Sequence, residues 1–307
     1  MKIAFLSRYQ NTVNRGAETF VFELSKRLSK NHNVEILTKL NWFKRYDIVI
    51  PINGRLQVFL VRLLTWLTNS KMIVSGQSGV GLDDRLNLYA FPDVFVAISS
   101  YALKKSKERN PFVKSIYIPN GVDLNHFVVK PKKQNTNHQS LFTVLSVGAF
   151  TEQKRHDLVI KAVSKLKDIK LIIAGGGGDK KEEIRALGTR LLGNKFELLQ
   201  VDHNKMPEIY NRADVFTLAS NPTESFGIVL VEAMASGLLV VATNDPIRRE
   251  IVGDAGLFVD PTDTDEYAKS IEKALNTNWE NKPRKQAEKF SWDKIALEYE
   301  KIFKSLL

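Results

Sequence analysis

Cysteine is absent from the 307 residues. Disulfide scaffolds, thiol nucleophiles and cysteine-ligated zinc or iron–sulfur centres are therefore excluded. Histidine is scarce: five residues are scattered along the chain with no His-Glu-x-x-His pattern, so no metal site is expected. Long hydrophobic runs are also missing. The longest, Leu56 to Leu67, is interrupted by Gln57 and Arg62 and falls short of the ~20 residues a membrane span needs. The opening Met-Lys-Ile-Ala-Phe-Leu-Ser reads as a first strand, its apolar stretch too short for a signal peptide. The expectation is a soluble, cytoplasmic protein. Hydrophobic residues at 43% and charged residues at 26% exclude general disorder. The length predicts two domains, each able to bury a core without disulfides.

Charge is unequally spread. Residues 1–140 hold 21 Lys and Arg against 9 Asp and Glu, a balance of +12, whereas residues 141–307 hold 24 against 25, a balance of −1. Two readings follow: a basic solvated surface, or a first domain that meets something anionic, such as lipid headgroups or a phosphorylated acceptor. The candidate contacts for an anionic membrane surface are Lys104, Lys105, Lys107 and Arg109 on one expected helix, and Lys26, Arg27 and Lys30 on another. Nucleic acid is not expected as a partner, because the basic stretches lack interleaved aromatics and no recognition module is legible.

Strands and helices alternate from end to end. Ile3–Ser7 reads as a strand and Ala17–Ser29 as a helix, with Phe20, Leu24 and Leu28 on one face. Val34–Leu37 and Ile48–Pro51 read as strands, Leu56–Thr68 as a largely buried helix, Met72–Ser75 and Val94–Ile98 as strands. Ser100–Arg109 is a basic helix and Ser115–Ile118 a strand. Val129–Ser140 is polar and contains proline, the best linker in the chain. The alternation then restarts with Phe142–Val147, a helix over His156–Leu166, and a strand, Leu171–Ala174, that runs into four glycines. Asp179 with Glu182 predicts a capping box for the next helix. Strands over Phe196–Val201, Val215–Ala219, Leu239–Ala242 and Gly256–Val259 follow, and helices over Asp265–Asn276 and Trp292–Leu306 close the chain.

This pattern predicts an α/β protein with two Rossmann-like, doubly wound parallel sheets facing across a cleft. The expected boundaries are 1–128 for the first domain, 129–140 for the linker and 141–290 for the second domain. Residues 291–307 form a terminal helix placed to pack back on the first domain. Ligands in such sheets bind outside the carboxyl ends of the strands, so the loops after strands are where chemistry is expected.

The most informative loop is Ser220-Asn-Pro-Thr-Glu-Ser-Phe-Gly-Ile-Val-Leu-Val-Glu-Ala-Met-Ala-Ser-Gly237. It follows a strand and opens a helix near Phe226 and Gly227, whose unpaired amides and dipole suit a phosphate. Glu232 lies inside a helix otherwise made of apolar residues, where a carboxylate is costly unless hydrogen-bonded. It reads either as a ligand-holding group or as a carboxylate paired to a nearby lysine or arginine or reaching solvent at the cleft edge.

At this loop the chain resembles the retaining family 4 glycosyltransferases (glycosyl transferases group 1) of the GT-B fold. The hallmark stands as Glu224-Ser-Phe-Gly-Ile-Val-Leu-Val-Glu232. The resemblance continues through Ser146-Val-Gly148 with Gln153-Lys154, Ile118-Pro-Asn-Gly-Val-Asp123 with Phe127, and Arg15-Gly-Ala-Glu18. It implies a nucleoside diphosphate sugar as donor, a glycan or lipid-linked acceptor, and no metal or other cofactor. Carried over position by position, Glu232 would hold the donor ribose, and Glu224 with the Phe226 and Gly227 amides the donor sugar and diphosphate. Lys154 would grip the diphosphate and stabilise the leaving group, as a fixed cation can. Gly175 and Gly177 would let the nucleotide approach the backbone, and Gly16 belongs to the first-domain loop near the phosphates; a plain turn is the other reading of Gly16.

Three departures stand out. Ala149 replaces the arginine that usually follows the Val-Gly pair, while Arg155 occupies a position where glycine is usual and is a candidate for the missing charge or a plain surface arginine. Arg15-Gly16 replaces a Gly-Gly pair. Gln77 stands about where many relatives carry a histidine, and glutamine cannot act as a base. Asp83 and Asp84 are acceptor-site candidates, or else pair with Arg85 or cap a helix. The leading expectation is a retaining glycosyltransferase. A nucleotide-sugar epimerase or hydrolase on a related fold, and a binding protein without turnover, are the alternatives.

Overall fold

The computed structural model describes residues 1–10, 16–41, 43–52, 56–79, 81–129 and 141–307. These form two compact units: Met1–Gly121 with Phe290–Leu307, and Val122–Lys289. Apart from Val129, the linker expected at 129–140 lies outside the described residues.

The first unit contains β1 (Lys2–Ser7), α1 (Gly16–Leu28), β2 (Asn33–Leu37), β3 (Ile48–Ile52), α2 (Leu56–Thr68), β4 (Lys71–Gly76), α3 (Leu82–Leu88), β5 (Val94–Ala97), α4 (Ser100–Arg109) and β6 (Ser115–Tyr117). The sheet order is β2-β1-β3-β4-β5-β6, with every pair parallel. Period-two alternation sends neighbouring strand residues to opposite faces. Ile3 and Phe5 join one core with Phe20 and Leu24 of α1; Ala4 and Leu6 join another with Val58 and Val61 of α2. The closing helix (Trp292–Leu306) belongs to this unit and packs Trp292, Tyr299 and Phe303 into the α1 core.

One expectation is corrected here. The helix over Leu56–Thr68 is not largely buried: only Val58, Val61, Leu64 and Thr65 are, while Leu56, Phe59, Leu60, Leu63, Trp66 and Leu67 are exposed. Its apolar residues cover more than the one face a sheet can accept.

The second unit contains β7 (Phe142–Val147), α5 (His156–Val163), β8 (Ile169–Gly175), α6 (Lys181–Leu192), β9 (Phe196–Gln200), α7 (Met206–Tyr210), β10 (Val215–Leu218), α8 (Ile228–Ala235), β11 (Leu239–Thr243), α9 (Pro246–Val252), β12 (Gly256–Val259), α10 (Thr264–Leu275) and α11 (Lys282–Ala287), and the terminal helix of the first unit is then α12. The order β12-β11-β10-β7-β8-β9 is again all parallel. The chain runs outward in one direction through β8 and β9 and in the other through β10 to β12. The switch point therefore lies between β7 and β10, where a ligand crevice forms in such sheets.

The capping box expected at Asp179 does not form. Helix α6 begins at Lys181 with Lys180, one residue past Asp179, at its N-cap and no side-chain cap, and the Lys180 amide donates to the Phe150 carbonyl at 2.9 Å. At α10 the Asp263 carboxylate accepts from the amides of Asp265 and Glu266. Among the described residues no helix is long and apolar enough to cross a membrane.

Candidate functional site

The β7–β10 switch point brings two loops side by side, one carrying Lys154 and Arg155, the other Ser220 to Gly227. They are tied by the Asn221 amide, which donates to the Gln153 carbonyl at 2.8 Å. Across this junction Lys154 Nζ pairs with Glu224 Oε1. Arg248, on α9 and fully buried, approaches the other Glu224 oxygen at 3.5 Å and Asp245 Oδ2 at 3.2 Å. Its guanidinium also donates to Ser220 Oγ at 2.8 Å and to the Glu224 and Asn221 carbonyls. Burial pushes the Glu224 carboxyl up, but the charges of Lys154 and Arg248 outweigh it and hold the group below the ordinary carboxylate range. The carboxylate is thus ionised and held between two cations.

Arg155 is neither a surface arginine nor a second free cation. Its backbone is left-handed (φ 47°), and its guanidinium turns inward to donate to the carbonyls of Ala219 at 2.6 Å and Ser220 at 2.9 Å. The side chain ties the end of β10 to the start of α5. The second cation beside Glu224 is Arg248, which the sequence reading missed. Nothing around Pro246-Ile-Arg-Arg249 marks one arginine as buried, because its partners come from separate loops.

Gly227 caps α8 in a left-handed conformation (φ 81°), which a side chain would strain. The helix therefore starts at Ile228, and Phe226 is buried just before it. One and a half turns on, Glu232 is buried, with one partner on each carboxylate oxygen. Its Oε2 accepts from the Tyr210 hydroxyl at 2.8 Å, and its Oε1 lies 3.0 Å from His203 Nε2. Burial, then the Glu232 charge, pushes the Tyr210 phenol well above its ordinary value. Phe127 packs edge-on against both Tyr210 and His203, and His126 stacks on His203. Among the described residues the partners of this carboxylate are a phenol and an imidazole, not the expected lysine or arginine.

A Cβ on Gly175 would overlap the Gly148 carbonyl, so glycine is required there by the packing of β8 on the β7 loop. Gly177 has positive φ and open space beside it. Just beyond, His156 is buried at the start of α5 with Nδ1 3.4 Å from Ser146 Oγ; burial first and the Lys154 charge second lower its pKa to about 4.

The remaining candidates belong to the first unit. Gly16 opens α1, with the preceding residues 11–15, Arg15 among them, outside the described set. Gln77 makes a reciprocal amide pair with Asn120 (2.9 and 3.2 Å) and donates to Ser75 Oγ at 2.9 Å, so its polar atoms are occupied internally. Asp83 and Asp84 lie in the first turn of α3, whose N-cap makes no side-chain hydrogen bond. Asp84 is buried beside Ser78 and Asn87, and burial raises its pKa to about 7. Asp83 is half-exposed.

With this geometry established, comparison places the chain. Residues 129–291 match the model of the glycosyl transferases group 1 family, and the chain belongs to that family. It is 29% identical over 204 residues to the phosphatidyl-myo-inositol mannosyltransferase of Mycolicibacterium smegmatis, covering 62% of this chain and 52% of that protein. It is 33% identical over 175 residues to an uncharacterized glycosyltransferase of Methanocaldococcus jannaschii, covering 52% and 44%. The chain spans about half the length of these curated relatives. Among solved structures, Anabaena HepE in complex with UDP and glucose superposes with a TM-score of 0.83 at 19% identity, covering 99% of this chain and all of that one. The lipopolysaccharide outer core galactosyltransferase WaaB in its apo form superposes at 0.74 with 16% identity, covering 98% and 100%. At these identities the likeness establishes the fold, which is that of the GT-B glycosyltransferases.

Proposed function

We propose that this chain transfers a glycosyl group from a nucleoside diphosphate sugar to an acceptor hydroxyl with retention of configuration. The observation that carries the reading is the Lys154–Glu224–Arg248 cluster at the β7–β10 switch point, beside the start of α8. A glycosyl–phosphate bond breaks by moving negative charge onto the departing diphosphate, and a fixed cation aimed there lowers the barrier. Lys154 has three donors, of which one engages Glu224. The others serve the diphosphate, together with the backbone amides at Phe226 and Gly227 before α8. Glu224 orients Lys154 and accepts from the donor sugar, while Arg248 holds Glu224 and its loop in place. Glu232 accepts from the ribose hydroxyls, its lone pairs not exhausted by Tyr210 and His203.

In this reading the acceptor oxygen attacks the anomeric carbon on the face the diphosphate leaves, and its proton passes to the departing phosphate oxygen. No protein base is needed, in keeping with the internal pairing of Gln77, and charge neutralisation is assigned to side chains without a metal ion. A lipid-linked or glycan acceptor is supported by what the mycobacterial relatives and the galactosyltransferase neighbour are named for. The test is a screen of radiolabelled UDP-, GDP- and ADP-sugars with product analysis. Transfer with retained anomeric configuration is expected. Inversion at carbon 2 assigns an epimerase, free sugar alone a hydrolase, and binding without product a protein that only holds the nucleotide.

A further inference from the structure

Helix α2 has two apolar faces. The inner one, Val58, Val61, Leu64 and Thr65, is buried against the first sheet. The outer one, Leu56, Phe59, Leu60, Leu63, Trp66 and Leu67, is open to solvent, with Leu56 and Leu67 each 72% exposed and Trp66 64%. At 3.6 residues per turn these six fall in a stripe about 120° wide along the whole helix. Scattered apolar residues on a surface are ordinary; six on one helix face mark an interaction site. The stripe contains no acidic residue, and the helix's one charge, Arg62, is paired to Asp93 and lies over the Trp66 ring.

The neighbourhood identifies the occupant. Val58 and Val61 of α2, Leu88 of α3 and Ala102 of α4 share one core, so the three helices form one layer on one face of the sheet. In that layer α4 exposes Lys104, Lys105, Lys107 and Arg109. Phe112, just past α4, is 88% exposed beside Lys114. Apolar stripe and cationic helix thus share a layer in a segment whose balance is +12 over residues 1–140. Two copies of such a layer would repel each other, whereas an anionic lipid surface complements both features. The 13-residue helix, ~20 Å long, is too short to span a bilayer and suits lying along its interface.

We propose that this layer is a membrane-docking face. Helix α2 lies in the plane of an anionic bilayer's interface with its six outer side chains among the upper acyl chains, and the α4 cations rest on the headgroup phosphates. The apolar stripe supplies the salt-resistant part of binding and α4 the salt-sensitive part. The inference does not rest on the transferase reading, since the surface is defined by α2 and α4 alone.

The full chain is tested by flotation with vesicles of phosphatidylcholine, alone or mixed with phosphatidylglycerol. Wild-type protein should float with the mixed vesicles only. The double substitution Leu60→Gln with Leu63→Gln should weaken binding about tenfold or more, because two buried aliphatic side chains are lost from the interface. Lys104→Gln, Lys105→Gln and Lys107→Gln together should abolish the salt-sensitive component. Bromine-labelled acyl chains should quench emission in wild type and less in Trp66→Phe. All the changed side chains are exposed, so unchanged melting and nucleotide binding separate this result from misfolding and from failure of the transferase reading. Absence of vesicle binding, or an α2 variant that binds like wild type, overturns the proposal. So does a wild-type dimer in light scattering that the α2 variant converts to monomer, which would assign the stripe to a second copy.

Discussion

Lys154 and Glu224 stand 70 residues apart in sequence and pair side chain to side chain at the switch point of the second sheet. The pair is made by topology: β7 and β10 are neighbours only because the chain reverses its direction of growth between them.

Lys154→Ala should lower turnover about a hundred- to a thousandfold, the range for removing one preorganised charge-stabilising donor. Melting should change little, because Arg248 still neutralises Glu224. Steady-state kinetics beside thermal melts check this, and equal activity in the variant would sink the leaving-group role. Activity should also survive a chelator.

Arg155→Ala should cost about 1–3 kcal/mol by leaving the Ala219 and Ser220 carbonyls without their charged donor. Arg155→Gly loses the same bonds but relieves the left-handed backbone, so it should be more stable than alanine by up to ~1 kcal/mol. Denaturant titration orders the three proteins, and glycine below alanine would contradict the assignment of strain.

Glu232→Ala should weaken binding of free nucleoside diphosphate by about 1.5–3 kcal/mol, the range for a hydrogen bond to a charged group. Tyr210→Phe, which removes a second partner of the same carboxylate, should have a smaller effect. Calorimetry with UDP, GDP and ADP measures both. An unchanged dissociation constant in Glu232→Ala removes the ribose assignment.

Asp84 makes stability fall as pH rises. Its carboxyl ionises near 3.8 in an unfolded chain and at about 7 when folded, so the folded protein binds the extra proton between those values. Stability from this group is full below pH 3.8 and is lost by the time pH passes about 7. Asp84→Asn should therefore raise the melting temperature at pH 8 and narrow the difference between pH 6 and pH 8, read by thermal melts of both proteins at both values. A lower melting temperature at pH 8 would show that the ionised carboxylate is required.

His156 works in the opposite direction. Its imidazole titrates at 6.5 when exposed and at about 4 in the fold, so stability is present above pH 6.5 and drains away as pH falls toward 4. His156→Gln should flatten acid unfolding across that window, and an unchanged acid limb in melts would exclude His156 as its source.

Most of the fold was legible in the sequence because each strand is a short apolar run bounded by turn residues, as at Leu171–Ala174 before its four glycines. The errors have local causes. Asp179 and Glu182 have capping-box spacing, yet α6 starts at Lys181, so Lys180 and not Asp179 stands at the N-cap and the frame is one residue off. The outer face of α2 was misread because a helix apolar all round implies burial only when the fold supplies a second cover.

Sequence by itself determined the two parallel arrays, the loops that follow their strands, and the Glu224 and Glu232 positions on either side of the α8 start. Spacing along one chain suffices for those, because they are set by neighbouring residues. Only tertiary structure decided what meets these groups. Arg248 reaches Glu224 from α9, Tyr210 and His203 enclose Glu232, and Arg155 turns inward to two carbonyls of a distant strand end. Hydrogen bonds and ion pairs act over about 3–4 Å, so their partners are fixed by sheet order and loop packing, not by distance along the sequence.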